Sequence, residues 1–351
     1  MIIIVGAGLS GLLTAFFLKK EGIPFKILEA RSRVGGRINT IYRTNQAPIE
    51  MGATWFTQQH KYLIGLLEEL GIEYFEQSMD TKVFYEASST SPTQLVQIPS
   101  QAPSFRISGG TSSLLHALLH KLDEGDVLFN QPVKHIKVNE NAVQVNTEKT
   151  FECNAVVLAI PPKLWAKNIV FDPQLPTDLM RIAIQTQTWM EDSIKVALTY
   201  EQAFWGQGDL PGTLFSNPGP ITELYDHSNP ERSKYALCGF IDSSLKNLTY
   251  ADRCERVMNQ LKNVYGVKAE AFTSYEECIW SKEKNTFEAS DFLLSPHQNN
   301  GNPIYNKPIF DDKLLISSTE SASEFPGYME GAVHSANTIA EKLTNSIHRR
   351  R

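Results

Sequence analysis

The chain opens on four apolar residues, Ile2-Ile3-Ile4-Val5, with no polar position among them, and then on the run Gly6-Ala7-Gly8-Leu9-Ser10-Gly11. An unbroken apolar run of β-branched residues that ends at glycine predicts a strand buried on both faces. Leu9, Leu12, Leu13, Phe16 and Phe17 follow at helical spacing, so a helix over about 10–20 is expected to bury that one face and to stop at Gly22. A second strand is expected over 25–29, and a helix from Gln58 to Leu70 with Gly71 as its stop. Ala87 to Ser104 is rich in Ser, Thr, Pro and Gln and reads as a loop or a crossing between domains. Gly109-Gly110-Thr111-Ser112-Ser113 opens a helix through Leu122, with Ser112 and Ser113 as its caps. Strands are expected at about 132–138 and 142–147 and over 151–160, whose apolar end Ala155 to Ile160 suits a buried parallel strand.

From about 166 to 274 the character changes, and Trp, Tyr and Phe become frequent. Here Ile194 to Tyr200 alternates, with Ile194, Val196, Leu198 and Tyr200 on one face and Lys195, Ala197 and Thr199 on the other. A strand at 313–317 and a helix opened by Gly327-Tyr328-Met329-Glu330-Gly331-Ala332, running to about Leu343, return to the first pattern.

The glycines carry the first chemical signal. Gly6 suits the tight turn, Gly8 a close backbone approach to a pyrophosphate, and Gly11 the packing of helix on strand. The helix N-terminus offers free N–H groups and the positive end of its dipole to phosphates. Glu29, eighteen residues beyond Gly11 and at the end of Phe25-Lys26-Ile27-Leu28, is placed to accept hydrogen bonds from ribose hydroxyls. Strand, turn, helix and acid occur together, and the N-terminus reads as a site for an adenine dinucleotide. The expected fold is α/β: a Rossmann-like nucleotide-binding domain of residues 1–75, 105–165 and 275–351, and a second, mixed-sheet domain of residues 76–104 and 166–274 that carries the substrate contacts.

Composition narrows the partners. With 351 residues, 42% of them apolar and 21% charged, there is room for two domains of ordinary globular character. The net charge of −6 argues against nucleic acid as a partner, and the basic tail His348 to Arg351 is short enough to be a solvated or frayed end. The apolar start lacks the basic n-region of a signal peptide, and no stretch approaches the ~18 consecutive apolar residues of a membrane helix. Cys153, Cys238, Cys254 and Cys278 show neither CxxC spacing nor a histidine cluster, so they read as buried reduced thiols of a cytoplasmic enzyme. His116, His120, His135 and His334 lack metal-ligand spacing, and no metal is expected.

Several motifs, spread over nearly the whole chain, resemble the flavin-dependent amine oxidases, the monoamine oxidase and polyamine oxidase superfamily. They are the glycine run through Leu12, Glu29-Ala30, Gly35-Gly36-Arg37, Glu50-Met51-Gly52-Ala53-Thr54-Trp55, Tyr200 to Trp205, and Phe325 to Ala332. The resemblance implies FAD as cofactor and a two-domain amine oxidase-like fold. It implies that Gly6, Gly8, Ser10, Gly11, Glu29, Arg31, Gly36 and Arg37 hold the ADP half and that the Val133 backbone meets the adenine. Gly52, Ala53, Thr54 and Trp55 would border the isoalloxazine, and Glu320 would lie near the ribityl-pyrophosphate. Met329 would start a helix whose positive end is aimed at the flavin, with Tyr328 beside it.

Three departures qualify the resemblance. The family's monoamine oxidases attach flavin through a cysteine followed by a tyrosine; the matching positions here are Ala289 and Ser290, so FAD is expected to be non-covalent. Half of a two-tyrosine cage is thereby lost, with Tyr328 remaining and Phe287 or Phe292 available to replace the missing ring. Ser317-Ser318 stands where the family usually has Ala-Gly. Most of the helical lid that relatives place between the Gly52 region and Gly109-Gly110 is missing, and the compact length resembles renalase.

Lys195 matches the family lysine that holds a water against flavin N5. Without the resemblance, it reads as a solvent-facing lysine on a half-buried strand. Trp280 and Tyr328 are candidates to flank a substrate amine, because aromatic faces favour a cationic or polarised nitrogen. The implied activity is oxidation of an amine C–N bond by hydride transfer to flavin, with oxygen as acceptor and hydrogen peroxide as product. Two alternatives stay open: a renalase-like oxidase of dihydronicotinamides, and a flavin-binding protein without catalysis.

Overall fold

Ile2–Val5 is the central strand of a five-stranded parallel sheet, ordered Val127–Leu128, Phe25–Leu28, Ile2–Val5, Ala155–Leu158, Leu314–Ile316. The structure, a computed structural model, describes residues 1–206 and 210–350, the last four as backbone alone. The tail's backbone continues the C-terminal helix to Arg350, while its side chains and residue 351 lie outside the described residues. Ile2 and Ile4 pack under the helices on one face of the sheet, and Ile3 and Val5 pack with Val156, Leu158 and Trp165 on the other. Burial on both faces is what a run without polar positions requires.

Leu9–Lys20 forms the expected helix, but it is buried all round rather than along one stripe: Leu9 to Phe16 and Leu18 are all buried. The C-terminal helix Met329–Arg350 covers its outer side, where Ser10 Oγ donates to Ala332 O at 3.2 Å. Leu63 and Leu67 of the helix Lys61–Glu69 and Leu114, Leu115 and Leu118 of the helix Ser112–His120 join the same core. Each fully buried leucine here contributes about 1.5–3 kcal/mol. A helix enclosed by other helices needs no polar face.

Three local expectations need correction. The run over 151–160 is two strands: Thr150–Cys153 pairs antiparallel with Val143–Asn146, and Ala155–Leu158 enters the parallel sheet. Asn154 makes the break, because its Oδ1 accepts from the N-terminal amine at 2.6 Å and its N–H donates to Met1 O at 2.9 Å. The stretch 87–104 is not loop alone, since Gln94–Gln97 pairs antiparallel with Lys82–Glu86 at a sheet edge. Ser112 and Ser113 do not cap their helix. Thr111 is its N-cap, buried Glu50 accepts from Thr111 N–H at 2.6 Å, and Ser112 Oγ accepts from Thr40 N–H at 3.0 Å.

The second sheet has seven strands, ordered Phe272–Ile279, Ile194–Tyr200, Tyr235–Ile241, Ile221–Asp226, Leu214–Ser216, Lys82–Glu86 and Gln94–Gln97. The alternation in Ile194–Tyr200 holds, yet all seven of its residues are buried. Ile194, Val196, Leu198 and Tyr200 pack with Val257 and Leu261 of the helix Tyr250–Tyr265. Ala197 packs on the opposite face with Ala47, Ile49 and Cys238, so the segment before Gly52 lies against this sheet. Some strands and strand pairs cross the expected domain limits. Val170–Asp172 pairs parallel with His135–Val138, and Phe272–Ile279 pairs with Ile194–Tyr200 along its length.

All four cysteines are free thiols, two buried and two half-buried. Burial pushes the Cys153 and Cys278 thiols up to about 12, which leaves them inert near neutrality. Among the described residues no helix is long and apolar enough to cross a membrane.

Candidate active site

A cavity of about 1080 Å³ opens at the C-terminal ends of the parallel strands and reaches the face of the seven-stranded sheet that carries Lys195. Crevices at that end of a parallel sheet are the usual place for nucleotides. The glycines there have separable roles. Gly6 has φ +101°, and a Cβ on it would lie 2.5 Å from Ile160 Cγ2. A Cβ on Gly11 would lie 2.0 Å from Gly6 O, so only glycine lets the helix close on the turn. Gly8 is different: a Cβ there would meet nothing nearer than Gly35 O at 4.0 Å, and the residue lines the cavity. The space before its backbone is open to the cavity.

Glu29 is buried at the cavity wall, where Oε2 accepts from Ala7 N–H at 2.7 Å and Oε1 from Arg31 N–H at 2.9 Å. A carboxylate with two such bonds still has lone pairs to offer a ligand. The Arg31 guanidinium bridges to Glu283 Oε2 at 3.1 Å and Thr286 Oγ1 at 2.6 Å, tying the first turn to the far wall. Gln131 N–H donates to Glu29 O at 2.8 Å, which brings Val133 to the same wall. Arg37 Nη1 donates to Glu320 Oε1 at 2.6 Å, while Glu320 Oε2, fully buried, has no partner in the protein. Glu320 lies behind the cavity wall and holds Arg37, which lines it, so the guanidinium is the polar group offered to a ligand. Gly36, with φ +57°, and Ser10 complete this end.

The other end is built around Gly52 to Trp55. A Cβ on Gly52 would lie 2.1 Å from Arg37 O, so this backbone packs tightly on the turn below it. Thr54 Oγ1 donates to Gly52 O at 2.9 Å, and Trp55 Nε1 donates to Gln77 Oε1 at 3.0 Å. Lys195 points into this corner and is 2% exposed. Its Nζ donates to Thr54 Oγ1 at 2.7 Å and stands 4.5 Å from the Trp55 ring centre and 4.9 Å from that of Phe240. The reading as a solvent-facing lysine is therefore overturned.

Trp280 is buried, its Nε1 donating to Met51 O at 2.7 Å and its ring lining the cavity. Tyr328 is 38% exposed and lines the cavity as well, and Thr319 Oγ1 fixes its carbonyl at 2.6 Å. Met329, at the start of the C-terminal helix, is buried at the cavity wall. Glu330 beside it turns away to cap the helix Lys61–Glu69, accepting from Tyr62 N–H at 2.9 Å and Leu63 N–H at 2.7 Å. Phe287 and Ala289 line the cavity, whereas Phe292 is exposed.

Several residues at the site had not been singled out in the sequence. His297 stacks on Trp189 with ring centres 3.9 Å apart, and Tyr328 lies 5.5 Å from His297 and 5.8 Å from Trp189. Gly327 explains how they fit, since a Cβ on it would lie 3.0 Å from Trp189 Cβ and 3.2 Å from His297 Cε1. Burial holds the His297 imidazole below its usual range, which favours the neutral ring. Phe240, Glu223 and Tyr225 also line the cavity. Carrying the Lys195 alternation across the neighbouring strands would have found them, but that needs a register.

The flavin containing amine oxidoreductase family profile matches residues 9–107 and 100–344. The probable flavin-containing monoamine oxidase A of Dictyostelium discoideum is 24% identical over 459 aligned positions, covering 98% of each chain. Flavin-containing amine oxidase B of Homo sapiens is 22% identical over 454 positions, covering 99% of this chain and 86% of the human one. Both alignments exceed the 351 residues present, so these relatives carry segments that this chain lacks. Among solved structures, cyclohexylamine oxidase from Brevibacterium oxydans IH-35A superposes with a TM-score of 0.86 at 19% identity, covering 99% of both chains. Putrescine oxidase bound to putrescine superposes with a TM-score of 0.82 at 23% identity, covering 97% of this chain and 98% of that one. These two share the fold. Matched by the family profile over almost its full length, the chain belongs to the flavin-containing amine oxidoreductases.

Proposed function

We propose that the chain holds FAD without a covalent bond and oxidises the C–N bond of a small amine, with oxygen as acceptor and hydrogen peroxide as product. When bound, FAD supplies the hydride acceptor and returns the electrons to oxygen. The observation that carries this reading is the single cavity joining the glycine turn at Gly8 to the buried ammonium of Lys195.

The chain's own residues supply placement and electrostatics. The open backbone at Gly8 and the N-terminus of the helix Leu9–Lys20 suit a pyrophosphate, and Glu29 suits ribose hydroxyls. Arg37, held in place by Glu320, suits the polar middle of the cofactor. Gly52 to Trp55 and Met329 border the remaining space, with the positive end of the C-terminal helix directed there. Lys195 holds its protons at Nζ against Thr54 Oγ1 and is positioned to orient a water in the cavity. The rings of Trp55, Phe240, Trp280 and Tyr328 line the cavity, exclude water and lower the cost of presenting an amine in its neutral form, which hydride loss requires. The free thiols support a reducing compartment, and we place the enzyme in the cytoplasm.

A second reading, oxidation of a dihydronicotinamide, draws on one observation: among the described residues no helix lies between Glu69 and Ser112, where a lid would stand.

Precipitating the yellow protein in acid tests the cofactor mode. Because Ala289 carries no sulfur, all the flavin is expected in the supernatant as intact FAD. Flavin that stays with the precipitate would contradict the non-covalent assignment.

A further inference from the structure

Two rings that line the cavity have no polar anchor on their side chains. Trp189 and Tyr328 stand with ring centres 5.8 Å apart and planes tilted by 44°. Among the described residues neither Trp189 Nε1 nor Tyr328 Oη makes a hydrogen bond. Tyr328 also follows Gly327, whose φ of +91° leaves no side chain beside it to brace the ring. Ring packing is therefore what sets both side chains.

His297 is the ring that meets both. It stacks on Trp189 with centres 3.9 Å apart and planes 21° apart, and lies 5.5 Å from Tyr328 at 23°. Stacking of this kind fixes the planes of the partners. Unlike them, His297 is tied down by hydrogen bonds. Its Nδ1 accepts from Asn300 Nδ2 at 3.3 Å, and its backbone N–H donates to Gln187 Oε1 at 3.1 Å. Gln187 N–H donates to Gln298 O at 3.0 Å, and Asn299 Nδ2 to Gln185 O at 3.0 Å. Segment 297–300 is thus stapled to segment 185–189, which carries Trp189. On its other flank the imidazole closes on the turn that carries Tyr328, where a Cβ on Gly327 would lie 3.2 Å from His297 Cε1. His297 does not itself line the cavity. Among the described residues Tyr328 has one further ring neighbour, His60 at 5.9 Å, and Trp189 has none.

We propose that His297 is a positioning residue: it holds Trp189 and Tyr328 as one tilted aromatic wall of the cavity and acts on a bound amine only through them. This rests on the amine-oxidation reading and names a residue behind the cavity that shapes its substrate wall.

The test uses the FAD-loaded protein and two variants. His297→Leu fills a similar volume without a flat face, and His297→Phe restores a flat ring without the imidazole. Both carry the same backbone cost at φ +59°, so the difference between them isolates the ring. Thermal melting checks their folding; should leucine prevent it, His297→Asn, which suits that φ and also lacks a ring, takes its place. The first readout needs no amine. With 5-fluorotryptophan at the five tryptophans, the fluorine resonance lost in Trp189→Phe marks Trp189. That line is expected to be single and narrow in the parent and in His297→Phe, and broadened in His297→Leu while the other four stay unchanged. The second readout is kcat/KM for benzylamine in a cycle with Tyr328→Leu. Each single leucine variant is expected to lose about tenfold, chiefly through KM, and the double variant to fall much nearer tenfold than the roughly hundredfold of independent effects. His297→Phe is expected to recover most of the loss. An unchanged Trp189 line in His297→Leu, effects that multiply in the cycle, or a loss that His297→Phe does not relieve overturns the proposal. If the line responds as expected but no amine is oxidised, the positioning role stands and the amine-oxidation reading fails. If amines are oxidised and His297→Leu changes neither readout, the role fails and that reading stands.

Discussion

Replacing Lys195 by methionine is expected to slow turnover by about tenfold or more, ~1.4 kcal/mol in the barrier, with flavin content unchanged. Methionine is nearly equal in length and apolar, so it fills the space between Trp55 and Phe240 that the lysine stem now occupies. What it removes is the ammonium, its bond to Thr54 Oγ1 and its hold on any water in that corner. Among the described residues no carboxylate makes an ion pair with the ammonium, so the change leaves none unpaired at contact distance. Rapid mixing separates the amine step from the oxygen step, and the loss is expected in the oxygen step or in overall turnover. Traces that coincide with the parent's would make Lys195 a packing residue.

Glu29→Ala is expected to strip flavin from the protein. Each charge-assisted bond from a ribose hydroxyl is worth on the order of 1.5–3 kcal/mol before water compensates. The variant also leaves the N–H groups of Ala7 and Arg31 without their acceptor, so a structural loss has to be separated from a binding loss. Melting with and without FAD does so. A purely structural role lowers both curves equally, whereas a ribose acceptor also narrows the gap between them. Equal flavin retention by variant and parent on dialysis would show that Glu29 does not contact the ribose.

The parts of the fold that were legible in the sequence are those settled by local chemistry. Ile2–Val5 has no polar position, so burial on both faces was its one stable outcome. Gly6 is demanded by its own φ of +101° and Gly11 by its approach to Gly6 O, both set within one strand–turn–helix unit, which is why their spacing alone identified it. Alternation in Ile194–Tyr200 correctly put Lys195 opposite Ile194 and Val196, but it did not show that both faces are covered. That depends on the segment around Ile49, far away in sequence.

Elsewhere the deciding partner was remote. Gln94–Gln97 is an exposed edge strand with no apolar face to mark it, and only pairing with Lys82–Glu86 makes it one. Ser112 and Ser113 suited a cap in the local pattern, yet a buried carboxylate from Glu50 took the free N–H of Thr111. Trp189, stacked on His297, and Glu223 reach the cavity through ring packing and cross-strand register, neither of which leaves a periodic trace in the chain. The glycine-turn end of the cavity was thus readable from motifs; at the other end Lys195, Trp280 and Tyr328 had been singled out, whereas Trp189, Phe240 and Glu223 had not.

The most direct measurement is anaerobic mixing of the FAD-loaded protein with a panel of primary and secondary amines and, separately, with isomeric dihydronicotinamides, while the yellow absorbance is followed. Amines are expected to bleach it, faster as pH rises and the amine loses its proton, since free amines titrate well above neutrality. Bleaching by dihydronicotinamides alone would contradict amine oxidation and put dihydronicotinamide oxidation in its place.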